Sequence, residues 1–137
     1  MRNILLLLLT IPLLSISSIN NKNKFIGKWI GTSKGEIGFV NFDKEGFASF
    51  EIQGQIFGGK EFVLNGEKGK MTYKINDNVT PIQIDFTVTK IKTKEEMKIL
   101  CIAKFKNENE MEFAMNFNNN RPVEFNSENS MILKREK

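Results

Sequence analysis

From Ile82 to Phe117 the chain alternates apolar and polar residues with a period of two. Ile82, Ile84, Phe86 and Val88 point one way, and Gln83, Asp85, Thr87 and Thr89 the other. Met97, Ile99, Cys101, Ala103 and Phe105 make an apolar face opposite Lys98, Lys104 and Lys106. After a hairpin loop over Asn107–Glu110, Met111, Phe113, Met115 and Phe117 alternate with Glu112, Ala114 and Asn116. A period of two belongs to half-buried strands, whose successive side chains leave opposite faces, whereas an amphipathic helix repeats at 3.6. These segments are therefore strands with one face to bury.

The rest of the chain follows the same rule. Phe25, Gly27, Trp29 and Gly31 share one face of a first strand. Gly38–Phe42 is a second, closed by the turn residues Asp43-Lys44-Glu45-Gly46. A third runs Phe47–Phe57, with a bulge or bend at Gly54, and Lys60–Leu64 is a short fourth. Asn65–Gly69 reads as a turn, Met71, Tyr73 and Ile75 as the next inward face, and Met131–Arg135 as the last strand. Thr93–Met97 is the one stretch with helical character and is too short to matter. About eight strands at spacings of roughly ten residues, joined by short turns, describe an all-β chain. A one-sided antiparallel sheet buries its face by stacking or by closing on itself, and serial hairpins without long crossovers favour closure. The expected fold is a single eight-stranded antiparallel up-and-down barrel.

The N-terminus reads differently. Met1-Arg2-Asn3 precedes an apolar run, Ile4–Leu14, and then Ser15-Ile16-Ser17-Ser18. This is the pattern of a cleaved signal peptide, shorter than the ~20 residues a membrane span needs. The expected organisation is a signal peptide at 1–17 and one barrel domain at 18–137, secreted or periplasmic, with no stable membrane insertion after cleavage. Of 137 residues, one is cysteine, Cys101, so no internal disulfide supports an exported domain of this size.

Composition excludes much chemistry. The chain has no histidine, which removes Ser-His-Asp and Cys-His catalysis and histidine-based zinc sites. No metal or cofactor is expected. The net charge of +4 comes from lysines interleaved with glutamates, and Arg121 and Arg135 are the arginines beyond the signal segment. This pattern suits a solvated surface and argues against a nucleic-acid partner, which would lean on arginine. Cys101, between Ile99 and Ala103, reads as a buried inert thiol. Glu51, Asp85, Glu110 and Glu112 are the acids that a hydrolase could use, but their phase points them outward. The chain is expected not to be an enzyme, with a hydrolase as the remote alternative.

The stretch Lys24-Phe25-Ile26-Gly27-Lys28-Trp29-Ile30-Gly31-Thr32 resembles the first-strand motif of lipocalins and their calycin relatives. Phe25, Gly27 and Trp29 occupy its aromatic, glycine and tryptophan positions. "YKIN" at Tyr73–Asn76, "PIQIDF" at Pro81–Phe86, "RPVEF" at Arg121–Phe125 and "LKRE" at Leu133–Glu136 are similar to a family of short bacterial lipocalin-like domains without assigned activity. The resemblance spans most of the chain after residue 17. It implies that Trp29 is covered by a basic side chain near the end of the last strand, as a structural plug at the closed end. Arg135 shares a face with Met131 and Leu133 and is the expected partner of Trp29, with Arg121 as competitor. This chain lacks the usual C-terminal disulfide and has no room for a long C-terminal helix.

The inward faces carry Phe50, Phe86, Met97, Phe105, Phe113 and Met115. These, with Tyr73 and Arg121 as polar groups at the mouth, are the candidate pocket for a small apolar ligand. Against that stands a filled core, since small eight-stranded barrels can be packed solid with side chains. Two functions follow. One is an exported monomeric barrel binding a small hydrophobic ligand in its interior. The other is a solid-cored structural or protein- or glycan-interaction module of the cell envelope.

Overall fold

A computed structural model describes residues 22–31, 37–116 and 119–137. The expected signal peptide and Phe117 lie outside the described residues. One short helix, α1 (Lys22–Phe25), precedes ten strands among the described residues. They are β1 (Gly27–Gly31), β2 (Ile37–Phe42), β3 (Ala48–Ile52), β4 (Gln55–Gly58), β5 (Phe62–Leu64), β6 (Glu67–Asn76), β7 (Ile82–Lys90), β8 (Glu96–Asn107), β9 (Glu110–Asn116) and β10 (Ser130–Arg135). All pairings are antiparallel, and β1 pairs with β10, so the sheet runs β4-β3-β2-β1-β10-β9-β8-β7-β6-β5. Between its two ends run single links: an isolated bridge from Phe47 to Thr72, and hydrogen bonds from the Tyr73 N–H to the Gly46 carbonyl (3.0 Å) and from the Met71 N–H to the Gly59 carbonyl (2.9 Å). The result is an up-and-down sheet nearly closed into a barrel.

The count of ten corrects the expected eight. Phe47–Phe57, read as one bent strand, is a hairpin: Ile52 faces Gln55 across Gln53-Gly54, whose φ values are 50° and 82°. Positive φ at both central residues is the type I′ turn, which matches the twist of its flanking strands. Asn65-Gly66, at 53° and 79°, repeats it between β5 and β6. A second correction falls at Phe25. It lies in α1, not in the first strand, and the helical stretch is there and not at Thr93–Met97, where only the end belongs to β8.

The inward faces pack into one core. Phe86 is fully buried, with its ring 4.8 Å from Phe50, 5.7 Å from Phe42 and 6.4 Å from Phe113, centroid to centroid. Ile84, Cys101, Ala103, Met111 and Leu133 are buried around these rings. Aromatic contacts at tilted or edge geometry add ~0.5–1.5 kcal/mol per pair to area burial.

One part of the outer face is also buried. Ile102 and Ala114 have the opposite parity to the core residues Cys101 and Phe113, and face each other across β8 and β9. The β9–β10 connection is fastened beside them by Arg121. This side chain donates to the carbonyls of Cys101 (2.9 Å) and Ile84 (3.3 Å) and pairs with the Asp85 carboxylate. Pro122, next to it, is buried.

Candidate ligand site at the barrel mouth

The two ends of the barrel differ. At one end, β1 begins beside the end of β10, and Trp29 stands opposite Arg135. The Arg135 guanidinium carbon lies 4.3 Å from the centre of the Trp29 ring. The same guanidinium donates to the carbonyls of Ile26 (2.8 Å), Lys24 (2.6 Å) and Glu108 (3.2 Å), tying α1 and the β8–β9 turn across this end. Gly27 makes room: its φ is +126°, and a Cβ there would sit 3.1 Å from Arg135 Nη1. The Trp29 Nε1–H donates to the Phe25 carbonyl (2.8 Å), so the buried indole leaves no unpaired donor. Phe105 closes this layer, 4.8 Å from Phe25 and 6.0 Å from Trp29.

The other end carries the turns at Gln53-Gly54 and Asn65-Gly66 and the β7–β8 loop. A recess of about 190 Å³ opens there, lined by Phe62 and Leu64 of β5, Gly69 of β6, Val88 of β7 and Met97 of β8. Phe62 faces Gly69 and Val88 faces Met97 in the ladders, so these residues belong to the inner face. The recess is therefore the mouth of the barrel. Its rim is charged, and its two lysines are paired with glutamates. The Lys90 ammonium pairs with Glu67 (3.1 Å) and Glu95 (3.3 Å), and Lys68 with Glu61 (3.0 Å). Hydrogen bonding to Glu67, then to Glu95, raises the Lys90 pKa above its ordinary value, so the rim keeps these pairs at neutral pH.

The expected pocket residues separate accordingly. Phe50, Phe86 and Phe113 are buried in the middle of the barrel, ring against ring, and Phe105 belongs to the plug. Met115 is partly buried against the core. Met97, 53% exposed, is the one of the eight that lines the recess. The two polar candidates are elsewhere. Tyr73 donates from its hydroxyl to the Asp43 carbonyl (2.7 Å), fastening the β2–β3 turn toward the plugged end. Arg121 clasps β7 and β8 from outside. Phe62, Leu64, Gly69 and Val88, the other apolar walls, carry only a weak signal in the sequence: each sits near a strand end, where alternation says which face but not which end.

Cys101 is buried against the core, and burial pushes its thiol pKa far up. Burial, then the Asp43 carboxylate, also raises that of Tyr73. Both groups are held neutral by the fold. Their contribution to stability is fully present below the unfolded pKa and is lost as pH rises through the folded one. Stability should thus fall as pH climbs above ~8.5, the ordinary thiol value, with denaturant melts over alkaline pH as the check. Cys101→Ser should flatten the first part of that fall. In the native protein Cys101 should not react with an aromatic disulfide reagent until denaturant is added.

Among the described residues no cluster of Cys, Asp and Glu side chains is arranged to hold a metal ion. Comparison of the chain with protein-family models, curated proteins and solved structures returned no match.

Proposed function

We propose that this protein is an exported, non-enzymatic lipocalin-like barrel that holds a small uncharged apolar ligand at its mouth, above a filled interior. The observation that carries this reading is the recess framed by Phe62, Val88 and Met97, with rim lysines already paired to glutamates. Apolar walls supply affinity, and rim lysines already engaged by glutamates disfavour an anionic ligand. At about 190 Å³ the recess is smaller than the ~300–1,000 Å³ of pockets for drug-sized molecules. It suits one ring or the end of a chain, and a whole lipid would protrude.

The pairing of first and last strands, with Arg135 over Trp29, supports the calycin resemblance. The N-terminal apolar run supports export. The lack of histidine, and the engagement of Asp85 by Arg121, support a role without catalysis. The buried rings packed around Phe86 also favour a second reading, a solid-cored interaction module of the cell envelope.

The test is native mass spectrometry of protein purified from its source, followed by titration with an uncharged fluorescent naphthalene probe. Met97→Arg places a charge in the recess from a half-exposed position, so the fold should persist. It should weaken probe binding about tenfold or more, since burying a methionine-sized group is worth ~1.5–3 kcal/mol. Unchanged binding by this variant would remove the mouth from consideration.

A further inference from the structure

β4 and β5 end the sheet, and no ladder joins them. Sheet ends are usually blunted by charge, by proline or by a covering element, because an unpaired edge is a template for another strand. β4 has neither charge nor proline. From Ile52 to Gly59 the sequence contains no Lys, Arg, Asp, Glu or Pro, in a chain with 26% charged residues. The hairpin geometry shows which groups are free. Ile52–Gln55 flanks a two-residue turn and Phe50–Phe57 lies two pairs further on, so Gln55 and Phe57 direct their main-chain groups toward β3. The N–H and C=O of Ile56 therefore face away from β3. Its side chain, on the outer face beside Glu51, is 65% exposed, and that of Val63 on neighbouring β5 is 63% exposed.

We infer that the β4 edge is a self-association site, where a second copy of this chain adds its own β4 antiparallel. The occupant follows from charge and symmetry. A two-fold centred on Ile56 sets each Ile56 against its counterpart and Gln55 opposite Phe57, with outer faces together. No charged residue lies in β4, so no like charges meet within the strand. The dimer departs from the monomer suggested by the sequence, and it is independent of the mouth recess. Main-chain hydrogen bonds and apolar side chains hold it, so salt should not weaken it.

Sedimentation velocity of the exported protein tests this. The expected result is a concentration-dependent shift from monomer to dimer that persists at high salt. Ile56→Lys should raise the dimer dissociation constant about tenfold or more. Val123→Lys, which alters an exposed apolar residue of the β9–β10 connection, should leave it unchanged. Amide exchange at Ile56 should slow as concentration rises. A wild-type protein that stays monomeric to millimolar concentration would overturn the proposal. So would association that salt abolishes, or Ile56→Lys dimerising as tightly as wild type.

Discussion

Replacing Phe86 with alanine should destabilise the protein by about 3–5 kcal/mol, the range for large-to-small changes at fully buried aromatic positions. Phe86 touches rings from three other strands: Phe42 of β2, Phe50 of β3 and Phe113 of β9. Their backbones are fixed by ladders on both sides, so the site cannot collapse to fill the void. Urea unfolding should show a lower midpoint at unchanged slope, the signature of lost stability without a changed unfolded state. Phe86→Leu, which keeps most of the volume, should cost distinctly less. If the interior were instead a ligand chamber, Phe86 would be wall and not filling. Truncation would then cost ~1 kcal/mol, the ordinary effect of a substitution.

Trp29→Ala should cost a similar amount, about 3–5 kcal/mol, for a different reason. It removes the indole packed under Arg135 and beside Phe105, and deletes the donor bound to the Phe25 carbonyl. It also leaves Arg135, which fastens α1 and the β8–β9 turn, without the surface it lies on. The effect should spread to both segments, seen as faster amide exchange at Ile26 and at Asn109. A double-mutant cycle with Arg135→Ala should give a coupling of about 0.5–2 kcal/mol, the range for a cation over an aromatic face. Arg135→Lys should recover only part of the loss, because a lysine cannot serve three carbonyls from a planar fork. Additive effects in the cycle would mean that the contact contributes packing alone.

Much of this architecture is legible in the alternation. The inward residues of β7, β8 and β9 are those of the period-two pattern, and the parity of Met131, Leu133 and Arg135 places Arg135 beside Trp29. Turns were legible where asparagine stood beside glycine, as at Asn65-Gly66. Gln53-Gly54 was not, because glutamine at positive φ carries no local signal and Gly54 alone reads equally as a bulge. α1 leaves no mark in the sequence because four residues have no helical period.

The outer-face cluster left a trace that alternation alone misread. Leu100, Ile102 and Ala114 are apolar at outward positions, where a solvated strand would carry lysine or threonine. Such a break in the pattern signals a covering segment, here the one Arg121 fastens. The mouth had no comparable trace. Its walls come from the ends of β5, β6, β7 and β8, and its rim pairs join residues brought together only by strand pairing, as Lys90 with Glu67.

The central claim is a filled barrel with its ligand recess at the mouth. Methionine methyl groups report on it directly, since Met111 is buried in the core and Met97 lines the recess. Apolar cavities take up xenon, so methyl NMR under dissolved xenon reads where space exists. The Met97 resonance should shift and the Met111 and Met71 resonances should stay fixed. A saturable shift at Met111 or Met71 would reveal a chamber inside the barrel and contradict the account.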